Sequence, residues 1–175
     1  LPVLLDETLA VTETGAGVIW LYDSDSDELR AAVARGWFQQ LNETPIKPGE
    51  GIAGAVFASG QAHVSVEFQK DPAARATTRE QIPSGWGGAC VPIRAGAVTI
   101  GVLFVSVALP RQITTGQVGL LESLAEMAGA ALHRMRLYED TVRQLEQLQA
   151  LHNIDLAITA SVDLRMTLNI LLEHL

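Results

Sequence analysis

Hydrophobic and polar positions divide the chain into a strand-rich first part and a helical second part. Leucines in residues 1–9 recur at helical spacing, which predicts the end of a helix there. Strand-like runs follow at 17–23, 28–36 and 62–68, and the polar stretch 69–88 predicts a long loop with one helical turn. The chain therefore begins as a mixed α and β structure.

Two further apolar runs, 89–94 and 97–109, meet at Arg94-Ala95-Gly96 and predict a tight antiparallel hairpin. From Thr114 the apolar period becomes helical, and Thr114 with Gln117 forms a capping box. The predicted order of elements is helix, two strands, short helix, strand, loop, two strands and long helix. This order predicts an antiparallel sheet with helices, followed by a long C-terminal helix, and not a doubly wound parallel sheet.

The long helix carries an unbroken heptad seam of Leu121, Leu124, Ala128, Ala131, Met135, Tyr138, Val142 and Leu145. Its first half is expected to pack on the sheet. The second half, Met135, Tyr138, Val142 and Leu145, lies among too many polar residues for a monomer core. We therefore predict that the helix 115–160 pairs with a second copy of the chain in a homodimer.

Beyond the seam, apolar residues at steps of three predict a helix that ends near Ser161, with Asp163 as the cap of a following helix. Residues 168–173, "LNILLE", repeat the pattern of residues 1–6, "LPVLLD". This echo predicts that a second, similar domain begins here and is truncated. The predicted organisation is a first domain at 1–137, a connector coiled-coil helix at 138–160 and the first helix of the second domain at 161–175.

The stretch 49–54, "GEGIAG", matches the G-x-G-x-x-G fingerprint of a dinucleotide pyrophosphate loop. That loop must follow a strand directly within a βαβ unit, whereas the preceding residues contain two prolines and do not alternate. We therefore interpret Gly49, Gly51 and Gly54 as structural: they permit a sharp turn into a short helix from Gly51 to Ser59, which Gly60 ends.

Composition limits the partners of this chain. Twelve Lys and Arg against twenty Asp and Glu give a net charge of −8, which argues against nucleic acid or an anionic membrane surface. No apolar run reaches the roughly 18 to 20 residues of a membrane-spanning helix. The single cysteine, Cys90, fits a reducing cytoplasm, and we predict a cytoplasmic location. From the residues at its two ends, we predict that this sequence is a piece of a longer chain.

Sequence motifs give little support for catalysis or metal binding. The four histidines have no metal-ligand spacing, and no nucleophile motif is present. Asp23, Asp25 and Asp27 have the spacing that opens a calcium loop, but position six is Glu28 instead of glycine. We interpret them as a solvated hairpin turn, and we predict that this chain is not an enzyme.

A ligand pocket is predicted from position alone. Trp37 and Phe38 follow the second strand, and Trp86 ends the long loop. These aromatic residues could cover an apolar or planar ligand. Arg75 and Arg79 in the loop could pair with a carboxylate or phosphate. His63 and Cys90, each on a predicted strand, complete the candidate set, although loop-end tryptophans commonly shield a core and loop arginines are commonly solvated.

Four blocks of the sequence resemble the GAF domain in the right order: "ETGAGVIWLYD", "PGEGIAGAVFASGQAHVSV", "CVPIRAGAVTIGVLFVSV" and "GQVGLLESLAEMAGAALHRMRLYE". The resemblance runs from about Leu1 to Glu139. It implies an α+β fold, in which a central antiparallel sheet of five to six strands has helices packed on one face and a small-molecule pocket on the other. It also implies a sensory or dimerising role in cytoplasmic signalling proteins. The tail is similar to connectors that lead to HD-type phosphohydrolase, histidine kinase or diguanylate cyclase outputs.

The resemblance leaves the ligand open, so no cofactor is predicted. Cyclic-nucleotide relatives carry an Asp where this chain has Gln117, which makes cGMP or cAMP a lesser alternative. Haem through His63 is another. Bilin-binding relatives use a Cys commonly followed by His, whereas Val91 follows Cys90. The leading hypothesis is a small-molecule sensor of a multidomain protein, for example of a two-component system, and its rival is a ligand-free dimerisation scaffold.

Overall fold

The computed structural model describes residues 1–41 and 44–173, except for the side chains of residues 77, 78 and 153–173. The chain divides into two compact units, Leu1–Leu132 and His133–Leu175. All of the described strands belong to the first unit. In the second unit, the described residues are helical throughout.

The helices are α1 (Pro2–Thr12), α2 (Gly51–Ser59), α3 (Ala76–Arg79) and α4 (Thr115–Glu173), and two short 3-10 helices span Gly36–Leu41 and Phe68–Lys70. The strands are β1 (Ala16–Asp23), β2 (Glu28–Arg35), β3 (His63–Ser65), β4 (Trp86–Ala95) and β5 (Val98–Ala108). Within the described chain the strands form one antiparallel sheet in the order β2-β1-β5-β4-β3. The predicted α+β fold with a chiefly antiparallel sheet is confirmed.

An isolated antiparallel bridge extends the sheet beyond the edge strand β2. Leu29 N donates to Ile46 O at 2.7 Å, and Ile46 N donates to Leu29 O at 3.1 Å. This bridge brings the segment before α2 against the sheet, where Ile46 contributes to the packing on one face.

Alternation along the strands creates two separate apolar layers, one on each face of the sheet. On one face, Ile19, Leu103 and Val105 pack with residues of α1 and α4, including Leu5 and Leu121. The opposite face carries Val18, Trp20, Val102, Phe104 and Cys90, and it is covered by α2 and the two 3-10 helices. The candidate pocket lies on this second face.

Helix α4 packs closely against the β4–β5 hairpin. A Cβ built on Gly129 would lie 1.8 Å from the Arg94 carbonyl oxygen, so only glycine fits at this helix position. The buried stripe of α4 in the first unit is Leu121, Ala125 and Ala128. These residues lie four and three positions apart on one side of the helix, and that side packs on the sheet.

Local turn chemistry matches the predicted hairpins. β4 and β5 join through a two-residue turn at Gly96-Ala97, where Gly96 has a φ of 64°. Between β1 and β2, Asp23 Oδ1 accepts a hydrogen bond from Asp25 N at 3.0 Å, and Asp23 Oδ2 accepts one from Ser26 Oγ at 2.9 Å. The side chain of Asp23 is thus used within the turn itself.

The third predicted strand, 62–68, is shorter in the structure. β3 ends at Ser65, and the chain then turns so that Phe68 enters the core with only 1% of its surface exposed. Burial of this large aromatic ring is more favourable than continued pairing at the edge of the sheet.

Helix α4 begins at the predicted capping box. Thr114 N donates to Gln117 Oε1 at 3.0 Å, and Gln117 N donates to Thr114 Oγ1 at 3.3 Å. The predicted end near Ser161 is wrong, since the helix continues without a break to Glu173. No glycine or proline follows Gly129 in the sequence, so no residue there strongly opposes the helical conformation.

The seam residues of the second unit are largely exposed. Met135 is 58% exposed, Tyr138 is 72% and Leu145 is 54%, whereas Val142 is half-buried. None of the helices in the described residues has both the length and the apolar composition needed to cross a membrane.

Candidate functional site

Three aromatic rings from three elements form the base of the candidate site. Trp20 of β1 lies edge-on to Phe38 of the first 3-10 helix, with ring centroids 5.9 Å apart, and edge-on to Phe104 of β5 at 6.1 Å. Phe38 and Phe104 are 5.2 Å apart. β1 and β5 are neighbours, and Trp20 and Phe104 point to the same face of the sheet.

These rings line a cavity of about 70 Å³ between the sheet, α2 and the loop that contains α3. Its lining is Trp20, Trp37, Phe38, Leu41, Thr44, Ile46, Glu50, Gly51, Ile52, Ala53, Phe68, Ala74, Arg75, Ile82 and Phe104. Most of these side chains are apolar. The lining therefore suits an apolar molecular body, and its few polar groups would determine which one.

The cavity is small in its present form. A water molecule occupies about 30 Å³ of liquid, a dry cavity of about 150 Å³ holds benzene, and ligand pockets commonly reach about 300–1,000 Å³. At about 70 Å³ the space has room for roughly two waters. Any organic ligand must enlarge it by moving part of its wall.

The indole nitrogen of Trp20 is a buried hydrogen-bond donor that lacks an acceptor in the described part of the chain. Trp20 lines the cavity and is only 4% exposed, and its Nε1 has no partner among the described residues. Buried polar groups without partners are uncommon in native proteins, because each forfeits the hydrogen bond it made to water. An acceptor on a bound molecule would satisfy this donor.

An ion pair forms the solvent-facing part of the lining. Arg75 Nε lies 2.7 Å from Glu50 Oε1, and the two side chains are 24% and 37% exposed. Arg75 Nη1 also donates to the carbonyl oxygen of Pro45 at 3.2 Å. The pair connects the loop that contains α3 to the N-terminus of α2, and both of these elements enclose the cavity.

The glycine-rich stretch shapes this entrance. Gly49 and Gly51 have φ angles of 83° and 64°, which L side chains rarely adopt. A Cβ on Gly54 would lie 2.3 Å from the carbonyl oxygen of Lys47, so the turn folds back tightly on α2. Gly60 follows the helix in the left-handed conformation, and its N–H donates to Val56 O at 2.8 Å.

Three of the seven predicted pocket residues line the cavity: Trp37, Phe38 and Arg75. Trp37 stacks on Phe38 with centroids 3.9 Å apart, and its Nε1 donates to Ser106 Oγ at 3.0 Å. The loop brings Arg75 to the cavity as its charged wall. These three residues come from two segments that the sequence separates by more than thirty positions.

The other four residues, His63, Arg79, Trp86 and Cys90, are not part of the lining. Arg79 Nη2 donates to the carbonyl oxygens of Asp71 and Ala74, and so it holds the loop together. Trp86 packs against Trp37 at 6.3 Å. Cys90 is fully buried, and this burial raises the pKa of its thiol well above the ordinary value.

His63 lies outside the cavity in contact with a carboxylate. Its Nε2 is 2.8 Å from Asp71 Oδ2, and Asp71 Oδ1 accepts a hydrogen bond from Ala73 N at 2.9 Å. Burial raises the pKa of Asp71, but the nearby Ser65 hydroxyl and the hydrogen-bonding contacts with His63 and Ala73 outweigh it, so the net pKa lies below its ordinary value. The contact joins His63, at the start of β3, to Asp71 in the loop.

Sequence reasoning missed several lining residues, chiefly Trp20, Glu50, Phe68 and Phe104. Strand alternation was the available signal for two of them, because Trp20 and Phe104 lie two residues from Val18 and Val102 on the same face. No signal in the sequence indicated that Glu50 lines the cavity. Its place there depends on the contact between Arg75, in the loop that contains α3, and the start of α2.

The described residues contain no cluster of three or more His, Cys, Asp or Glu side chains suited to a metal ion. Gln117, which stands where cyclic-nucleotide relatives carry an acid, is bound within the α4 cap. Its Nε2 also donates to the carbonyl oxygen of Thr12 at 3.0 Å.

Comparisons with known proteins agree with this architecture. A protein of Chloroflexus aurantiacus described as an uncharacterized sensor-like histidine kinase is 30% identical over 148 residues, which cover 85% of this chain. The chain spans only 24% of the length of that relative. A GAF domain/HD domain protein from Geobacter sulfurreducens superposes with a TM-score of 0.69 at 13% identity, over 78% of this chain and 91% of the other.

A second solved structure, a domain of a two-component sensor histidine kinase protein from Sinorhizobium meliloti, has a TM-score of 0.66 at 16% identity, over 80% of this chain and 93% of the other. At these identities the solved structures show the shared fold alone. The family model of the GAF domain matches residues 1–133 of the 175. With its five-stranded antiparallel sheet and its aromatic cavity, this chain belongs to the GAF domain family.

Proposed function

We propose that this chain is the small-molecule-sensing domain of a cytoplasmic bacterial signalling protein, and that its ligand occupies the cavity over Trp20. The observation that carries this proposal is the Trp20 indole N–H, buried in an aromatic cavity without an acceptor among the described residues. A ligand with an apolar body and one acceptor would satisfy this donor and gain from burial among the rings.

Ligand entry requires the cavity to open, and the wall that contains Arg75 is the part suited to move. It consists of a loop whose contact with α2 includes the partly exposed Glu50–Arg75 pair, and exposed pairs contribute only about 0–1 kcal/mol. The sheet side of the cavity is, by contrast, held by the ladder between β1 and β5. The ligand changes the domain's state only insofar as it binds the open and closed forms with different affinity.

The state of the domain is relayed through a homodimer of the helix 115–160. Exposed Met135, Tyr138 and Leu145 support this, because a partner helix would remove them from water. In a parallel pair the seam places Arg134 of one helix opposite Glu139 of the other, at positions that commonly carry such charge pairs. Parallel pairing would present both ends of the dimer to the same output.

The output is a domain outside this chain. A histidine kinase is supported by the name of the Chloroflexus relative, and an HD-type phosphohydrolase by the name of the Geobacter protein. A diguanylate cyclase remains the third proposal from the sequence resemblance. The GAF domain itself is the regulatory part, so any catalysis belongs to the output domain.

A dimerisation scaffold without a ligand is the second candidate function. The cavity volume of about 70 Å³ favours it, since this space is smaller than the roughly 150 Å³ in which benzene binds. In this alternative the aromatic side chains simply fill the domain, and only the helices act.

Thermal unfolding of the chain with a panel of small neutral and charged planar compounds separates the two functions. A ligand at 100 times its Kd stabilises the domain by about 2.7 kcal/mol. We expect at least one compound to raise the unfolding temperature and to quench tryptophan fluorescence.

Two matched variants of α2 test where the compound binds. Ala53→Leu adds three carbons inside the cavity, where Ala53 is 5% exposed, whereas Ala55→Leu adds the same atoms on the exposed side of the helix. A sensor predicts that Ala53→Leu abolishes the response and that Ala55→Leu keeps it. The scaffold function is supported if no compound has an effect and Ala53→Leu leaves signalling by the full-length protein intact.

A further inference from the structure

We propose that the cavity accepts a compact planar carboxylate, and that the ligand's carboxylate replaces Glu50 on the guanidinium of Arg75. This inference rests on the proposed sensing function and goes beyond it by naming the chemical class of the ligand. No covalent step is involved. One carboxylate exchanges for another, so the number of ion pairs at the entrance is unchanged.

The shape of the ligand follows from the aromatic lining. Phe38 stacks on Trp37 with an angle of 22° between the rings, while Trp20 and Phe104 present themselves edge-on to Phe38. These rings give the cavity walls that are largely aromatic. A planar ring enters the cavity with the least displacement of the walls and makes both stacked and edge contacts.

The charge of the ligand follows from the entrance. Glu50 Oε1 lies 2.7 Å from Arg75 Nε, and both residues belong to the cavity lining, so a carboxylate already occupies the place where an acidic ligand would bind. Arg75 is kept at the cavity by its hydrogen bond to Pro45 O. The N-terminus of the nine-residue helix α2, at Gly51, adds a partial positive charge beside the pair.

Exchange is feasible because Glu50 can leave without being buried. Its side chain is 37% exposed, and among the described residues Glu50 Oε2 also accepts a long hydrogen bond of 3.4 Å from Lys47 N. The carboxylate can therefore turn into water when a ligand arrives. In the absence of ligand it keeps the guanidinium paired and the entrance closed.

Trp20 supplies a second point of recognition. Its Nε1 is buried and lacks an acceptor among the described residues, so a hydroxyl or carbonyl oxygen on the ligand's ring would gain a hydrogen bond there. The inferred class is therefore a monocyclic planar acid that carries one further acceptor. Benzoate and its 3- and 4-hydroxy derivatives are the simplest probes.

The experiment is titration calorimetry of the 175-residue chain with benzoate, the two hydroxybenzoates, and the neutral analogues benzamide and benzyl alcohol. We expect the acids to bind about two- to fivefold more tightly than the neutral analogues, because only a carboxylate can replace Glu50 on the guanidinium and it gains the difference between the two ion pairs. At least one hydroxybenzoate is expected to exceed benzoate.

Two conservative variants test the named residues. Glu50→Gln is expected to tighten benzoate binding about two- to fivefold, since the internal competitor loses its charge. Glu80→Gln, an exposed position in the same loop region, is the control and should have no effect. Trp20→Phe is expected to remove the preference for the hydroxybenzoate, a loss of about three- to tenfold, while benzoate binding changes less.

The outcomes distinguish this inference from the proposed function. Neutral analogues that bind as well as the acids would overturn the carboxylate class but leave the sensor intact. Weaker benzoate binding by Glu50→Gln would overturn the exchange at Arg75. If no probe binds, and the wider panel also fails to stabilise the domain, both proposals fail. Circular dichroism of each variant establishes that the fold is retained.

Discussion

Gln117 Nε2, in the first turn of α4, donates a hydrogen bond of 3.0 Å to the carbonyl oxygen of Thr12, the last residue of α1. The Oε1 atom of the same side chain accepts from Thr114 N. Arg111 Nη2 donates to the same Thr12 carbonyl at 3.1 Å. A single amide therefore caps the start of one helix and the end of another, and it couples the first and last helices of the domain.

Replacement of Gln117 by Glu tests this double role. Glu is a favourable residue in a capping box, but a carboxylate cannot donate to Thr12 O and repels it. We expect a net loss of about 1 kcal/mol at pH 7, or about 4 °C in unfolding temperature. The exposed Gln112→Glu is the control. Unchanged or increased stability of Gln117→Glu would show that the link to α1 contributes little.

Two glycines of α4 are expected to respond oppositely to alanine. Gly119→Ala should stabilise the domain by about 0.5–1 kcal/mol, because this exposed helical site has nothing within 4 Å of an added Cβ. Gly129→Ala should destabilise it by about 1–3 kcal/mol, because the Cβ would overlap Arg94 O. Urea unfolding measures both. Stabilisation by both variants would mean that α4 does not pack this closely on the hairpin.

Asp71 is expected to make the domain sensitive to acid. Its pKa in the folded state lies below the ordinary value of 3.8, so its contribution to stability is present above that value and is lost as the pH falls through the folded pKa. Asp71→Asn should cost about 1–3 kcal/mol at pH 7 and should flatten the loss of stability below pH 4. Unfolding temperatures between pH 2.5 and 7 measure this effect.

The control for this experiment is Asp140→Asn, which makes the same chemical change on an exposed helical surface. It should leave the acid response of the parent intact. If the two variants respond to acid identically, Asp71 is not the group responsible.

The proposed pairing of helix α4 is tested by placing negative charges on its apolar seam. Val142→Glu with Leu145→Glu should weaken dimerisation at least about a hundredfold, because four carboxylates would be buried per dimer. Gln144→Glu with Gln147→Glu adds the same charge away from the seam and should remain dimeric. Analytical ultracentrifugation measures the assembly state. A parent chain that sediments as a monomer would disprove the pairing.

The sequence predicted those features that depend on neighbouring residues. Helix α2 from Gly51 to Ser59, its end at Gly60 and the cap of α4 were all identified, because turn and cap chemistry is read over a few positions. The extent of α4 was misjudged. Ser161 and Asp163 suit a helix boundary, but they do not enforce one as glycine or proline would.

The cavity could be predicted only in part. Trp37 and Phe38 were identified from their place after a strand, whereas Trp86 was expected in the cavity and instead packs behind Trp37. The large ring of Trp86 would be buried whether it lined the cavity or packed against Trp37 outside it. Local sequence gives no preference between the two places.

Along the chain itself, periodicity and turn residues determined the antiparallel α+β fold, the glycine-rich turn and the apolar stripe of the long helix, since these depend on interactions within a few residues. Only the tertiary structure decided that Trp20 and Phe104 meet over one face of the sheet and that Glu50 reaches Arg75. Those contacts join residues 84 and 25 positions apart. Such pairs are fixed by strand register and by loop closure, which no short stretch of sequence contains.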